Sequence, residues 1–144
     1  MPCEAIYEPD WRTGKHIPTR FTAADGGTLG VAGLWQPWRA PTGDWVMSFA
    51  MLTLNADDHT LMRHMHRPDL SRPPEKQDKR MVVILPDAQY AEWLDAPADR
   101  SKEFLHQYPA ELLLATPEPV LKKPKGQPGQ SDQPQQGGIE IDQR

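Results

Sequence analysis

Ala24-Asp25-Gly26-Gly27 lies between two extended runs, HIPTRFTA and TLGVAGLW. Asp-Gly readily supplies the positive φ angles of a tight turn, so the stretch predicts an antiparallel hairpin and a β-based fold. Pro18 has no N–H to donate, which assigns the first run to a sheet edge. Gly30, Ala32 and Gly33 keep the returning strand slim, as a close neighbouring backbone would require. Upstream, CEAIYE reads as a short strand halted at Pro9, with WRTGK as a turn. WVMSFAMLTL is the longest strand-like run and is apolar in its middle, which predicts a central strand buried on both faces. MVVIL predicts a short buried strand.

Helical signals are fewer. PDAQYAEWLDA places Pro86 and Asp87 in a first turn and Tyr90, Trp93 and Leu94 on one face. SKEFLHQY predicts a second short helix, and NADDHTLMRHMH a helical turn or two. The expected class is α+β, β-rich, with strands joined mostly as hairpins.

The domain is expected over residues 1–115. Residues 116–144 are rich in Pro, Gly and Gln, contain no aromatic residue and show no apolar period, so a disordered tail is expected there. One Cys excludes an internal disulfide and a multi-Cys zinc site. No secretory leader and no apolar run of about 20 residues is visible, so a cytoplasmic location without a membrane span is expected. The net charge of −4 argues against a surface coated with nucleic-acid-binding charge. Residues 63–80, however, carry six Arg/Lys against three Asp/Glu, enough for a local basic surface or simply a solvated loop.

Several side chains could carry chemistry. Glu8, flanked by Tyr7 and Trp11 at a strand end, is either a solvated charge or a carboxyl desolvated into the general-acid range. His59, His64 and His66 lie near Asp57 and Asp58, but helical spacing separates residues two apart and disfavours a metal cluster. Trp93 is expected in the core. Trp11 and Trp35 are expected as packing residues, while Trp38 and Trp45, in and after a Pro/Gly loop, are either packing residues or platforms for unpaired bases, with Arg39 beside Trp38 as a phosphate contact.

Four blocks in order, EAIYEPDW, TLGVAGLWQPW, FAMLTLNADD and MHRP…KRMVVILP…YAEWLD, resemble the SOS response-associated peptidase (SRAP) family from about Glu4 to Leu114. The resemblance implies a compact barrel-like α+β domain with a cleft for single-stranded DNA. It also implies covalent capture of abasic sites and a self-processing peptidase activity; separately, no cofactor and no metal are expected. On this alignment Glu8 is the catalytic carboxylate and His66 the catalytic histidine, with His64 as a possible substitute. Thr53, Arg67, Arg80, Trp38 and Arg39 are candidate DNA contacts.

The family's capture chemistry uses an N-terminal Cys, whose amine and thiol close a thiazolidine on the sugar aldehyde. Cys3 falls instead on an interior strand position, and its nitrogen is an amide. The chain is therefore expected to be an SRAP domain truncated at its N-terminus, with its enzymatic activity in question. Three alternatives remain open at this point: a non-catalytic single-stranded DNA-binding or interaction remnant, an iminium formed by an exposed Pro2 amine, and a thiol peptidase built on Cys3 and His66.

Overall fold

A computed structural model describes residues 1–118. The strands are β1 (Pro2–Cys3), β2 (Ile6–Asp10), β3 (Ile17–Ala23), β4 (Leu29–Val31), β5 (Gly33–Arg39), β6 (Trp45–Met51), β7 (Thr53–Asn55), β8 (Arg80–Val82), β9 (Ile84–Leu85) and β10 (Leu113–Pro117). Helix is sparse: α1 (Tyr90–Asp95) and short 3-10 segments, among them Met62–His64 and Ala98–Phe104. The protein is thus strand-rich with few helices, as the α+β expectation requires. The strands form four small sheets, ordered β1-β4-β9, β10-β3-β2, β5-β6 and β7-β8. No sheet among the described residues closes into a barrel.

The Asp25-Gly26 turn forms but does not make a hairpin. Gly26 adopts φ 79° and donates to the Ala23 carbonyl, and Asp25 Oδ1 accepts the Gly27 N–H. The chain then changes sheets, β3 pairing with β2 and β10, and β4 with β1 and β9. The hairpin lies one turn earlier, where Gly14 at φ 73° closes the Trp11–Gly14 turn between β2 and β3. β3 is therefore central, against the edge position expected from Pro18. Pro18 stands opposite Pro9, and each carbonyl is turned away from the other strand. Pro18 accepts the Glu118 N–H and Pro9 the His66 N–H, so the missing donors cost the β2–β3 ladder nothing.

Three long strand runs each break at one residue: Ala32 between β4 and β5, Leu52 between β6 and β7, Val83 between β8 and β9. The three breaks meet in a ring of backbone hydrogen bonds. Ala32 N donates to Val83 O at 2.9 Å, Val83 N to Leu52 O at 2.9 Å, and Leu52 N to Ala32 O at 3.0 Å. Each strand enters the ring paired with one neighbour and leaves paired with the other. Ala32 and Val83 are fully buried there.

The larger core cluster packs Phe21, Leu29, Val31, Met62, Met65, Met81 and Ile84, with Cys3 and Ile6 against it. The smaller gathers Ala32, Val83, Leu85 and Phe104, flanked by Tyr90 and Trp93. MVVIL is buried as expected. Leu94 is not on the packed face of α1 but 81% exposed, because that helix is six residues long and reaches the core through Tyr90 and Trp93.

The run expected to be a strand buried on both faces is the clearest correction. All of β6 is exposed, since β5 is its one strand partner among the described residues and little packs on the faces of the pair. The two form an open ribbon.

The Pro/Gln/Gly-rich tail lies, from residue 119 on, outside the described residues. No helix among the described residues is long and apolar enough to cross a membrane.

Candidate active site

β2 carries Glu8 on the outer strand of its sheet, with β3 its one strand partner among the described residues. The segment ending at His66 lines up along the other side of β2. Met65 bridges Asp10, Trp11 N donates to His64 O at 3.1 Å, and His66 N donates to Pro9 O at 2.8 Å. Met65 is 1% exposed and anchors the segment in the core. His66 itself adopts φ 60°, a left-handed conformation unusual for a side-chain-bearing residue. Its carbonyl accepts a 2.7 Å bond from the buried Lys79 ammonium. A core anchor and hydrogen bonds on both sides of the residue thus hold a strained backbone in place.

This geometry brings His66 Nε2 within 2.9 Å of Glu8 Oε2. The Glu8 side chain is largely buried, whereas that of His66 is half exposed. Burial pushes the Glu8 carboxyl above the ordinary glutamate value, and the neighbouring His66 only partly opposes this. Glu8, Tyr7, Pro9, Trp11, His16 and Pro18 line a cavity of about 440 Å³. Trp11 stacks on His16 with ring centroids 6.5 Å apart, and the Arg67 guanidinium lies 5.9 Å from the Trp11 ring centre. The arrangement is a partly desolvated carboxyl sharing a proton position with an accessible imidazole, beside an aromatic wall and a cation. Such a pair can donate a proton from one member and accept one at the other.

The other histidines are placed differently. His64 faces away, receiving the Arg63 Nε–H, and burial and the nearby Arg63 and Arg12 charges hold its pKa down. His59 is a buried structural residue: its Nδ1 accepts the Leu61 and Met62 N–H groups, and its Nε2 lies 2.9 Å from the Tyr108 carbonyl. No group of three His, Cys, Asp or Glu side chains placed to hold a metal ion occurs among the described residues.

The remaining candidates fall into separate groups. Arg67 joins the Glu8 neighbourhood through Trp11. Thr53 and Arg80 pair with each other on β7–β8, Arg80 Nη2 donating to both Thr53 Oγ1 and Thr53 O at 3.1 Å. Trp38 and Arg39 lie on the exposed β5–β6 ribbon, with the Arg39 guanidinium turned back to the Gly43 carbonyl. The three groups sit on three different sheets. Cys3 pairs with Leu29 in β1–β4 and packs on the larger core.

Lys79 is the residue that sequence reasoning missed. It lies in a polar stretch that reads as loop, and nothing in that stretch distinguishes it from Lys76. Its structural context does: Asp57, held below the ordinary aspartate range by the backbone N–H groups of Asp78 and Lys79, fixes the chain there and directs the Lys79 side chain inward.

The family model for SOS response associated peptidase (SRAP) matches residues 1–120. No curated protein matches the chain. Among solved structures, a crystal structure of a protein from Bordetella bronchiseptica is similar at 51% sequence identity and a TM-score of 0.75, over 83% of this chain and 54% of that one. A protein from Bacteroides thetaiotaomicron shares the fold at a TM-score of 0.65 and 18% identity, over 81% of this chain and 47% of that one. The chain thus spans about half the length of these relatives. With the family match running through every described strand, the chain belongs to the SOS response associated peptidase (SRAP) family.

Proposed function

We propose that the chain acts in the DNA-damage response by binding single-stranded DNA at abasic sites, with Glu8 and His66 as its proton-transfer pair. The observation that carries this reading is the 2.9 Å contact between a half-exposed imidazole and a largely buried carboxyl that lines an aromatic cavity, in a member of the SRAP family. An abasic sugar in its open-chain form presents an aldehyde. Attack by an amine gives a carbinolamine, and loss of water from it needs a proton delivered to the departing hydroxyl. Glu8, with its raised pKa, supplies that proton. His66 removes the proton released by the attacking nitrogen. Arg67, Thr53, Arg80, Trp38 and Arg39 are the proposed backbone and base contacts, Trp38 by stacking and the cations by phosphate neutralisation.

The attacking amine is not Cys3, whose nitrogen is a peptide amide within β1; the chain's own candidate is the Pro2 nitrogen once Met1 is removed. This observation favours a second reading, in which the chain binds abasic or intact single strands without forming a bond. The experiment that separates them is a denaturing gel with an oligonucleotide containing one abasic site. The catalytic reading expects, after borohydride reduction of the iminium, a band that survives denaturation and is lost with Glu8→Gln. The binding reading expects no such band, and a salt-sensitive shift on a native gel that is indifferent to Glu8. Absence of both band and shift would sink the DNA reading.

A further inference from the structure

Strand alternation and the β5–β6 register place Trp35, Pro37 and Arg39 on one face of the ribbon, opposite Phe49, Met47 and Trp45 respectively. Trp35 is 70% exposed, Trp45 69%, Phe49 67% and Met47 64%. These values are high for large apolar groups on a ladder that is otherwise regular. Single exposed apolar residues are ordinary, but a contiguous aromatic and aliphatic face of this kind marks a contact surface. No further strand among the described residues pairs with β5 or β6, so the outer ladder groups are also open to strand addition.

The chemistry of the face selects its occupant. Its one cation, the proposed phosphate contact Arg39, stands at the tip beside Gly43 O, and the stretch of Trp35, Met47 and Phe49 carries no charge for a nucleic acid backbone. The two solved relatives each extend about as far again beyond the matched part. We propose that the Trp35–Phe49 face of the ribbon docks the polypeptide corresponding to the half of the relatives that this chain does not span, whether joined to it or separate. The contact combines strand pairing along a ribbon edge with burial of Trp35, Met47 and Phe49. The proposal is independent of any chemistry at Glu8.

The test is to produce the full 144-residue chain alone, and together with the unmatched portion of the Bordetella bronchiseptica protein as a second chain. The expected result is stoichiometric co-purification, with the ribbon tryptophans passing from open to shielded against acrylamide quenching. Phe49→Glu is expected to weaken capture about thirty-fold, the effect of removing one interface anchor. Trp35→Lys serves as a second such variant, and both should retain the parent's circular dichroism and melting temperature when alone, since both positions are exposed. Failure to co-purify, or capture that both variants leave intact, would overturn the proposal. So would tryptophans already shielded in the chain alone, which would assign the face to the chain's own tail or to a second copy. Protection of Trp35 by single-stranded DNA instead would assign the Trp35–Phe49 face to nucleic acid.

Discussion

The edge of β2 and the β5–β6 ribbon are both exposed to solvent on at least one side, yet they are ordered in opposite ways. At β2, side-chain positions follow from packing: Met65 is buried, Lys79 holds a carbonyl from inside, and His66 meets Glu8 although its backbone is strained. On the ribbon, seven consecutive cross-strand pairs run from Gly33–Met51 to Arg39–Trp45, with little packed against either face. A ladder alone sets strand direction and register. It does not fix a side chain against a partner. Chemistry that depends on ångström placement therefore belongs at β2, and adaptable contact belongs on the ribbon.

Replacements at five positions would break or sharpen that contrast. Replacing Glu8 by Gln keeps the shape and removes the proton, so abasic cross-linking should fall about 10²–10⁴-fold, as read from band intensity against time. A residual rate near the parent's would show that the pinned region does no chemistry. Next in size, Phe21→Ala in the core should cost about 3–5 kcal/mol in urea unfolding. Phe49→Ala on the ribbon should change stability by less than about 0.5 kcal/mol. Equal losses would mean that the ribbon is packed after all.

Lys79→Met leaves the His66 carbonyl without its buried donor and should lower stability by about 1–3 kcal/mol, while Lys79→Arg retains a cation in reach of it. His66 chemical shifts should move with Met and largely return with Arg. The smallest effect concerns Arg67. Replacing it by Ala should reduce the slope of log affinity against log salt by about 0.7, the contribution of one phosphate contact on a single strand.

Glu8 also gives the site a pH signature. The native carboxyl holds its proton more tightly than the unfolded one, because burial outweighs the pull of His66. Its contribution to stability is full below the ordinary glutamate value and is lost as pH rises through the raised native value. Glu8→Gln should therefore flatten this part of the stability profile and leave the melting temperature at neutral pH equal or higher. A carboxylate kept for stability would show the reverse.

Local patterns in the sequence were read well where one residue type has one physical consequence. The apolar run at Met81–Leu85 is buried and the turn at Asp25-Gly26 forms. Long-range matters were not legible. Pro18 reads as an edge signal, yet it sits in a central strand because Pro9 faces it and both carbonyls look outward. No window on a single strand reveals such a pairing. The breaks at Ala32, Leu52 and Val83 are set by one another across the chain, so each run looks continuous in isolation. β6 carries the composition of a buried strand without the cover, and composition reports what a surface would prefer to touch rather than what touches it. Lys79 was invisible for the same reason, as its role depends on a carbonyl 13 residues away.

The pairing of Glu8 with His66 is tested most directly by following the Glu8 side-chain carboxyl carbon through a pH titration by NMR, in the parent and in His66→Ala. The parent carboxyl should titrate above the ordinary glutamate range. Removing His66, which pulls it down, should move it further up. A carboxyl titrating at its ordinary value, or one unmoved by loss of the imidazole, would contradict the account.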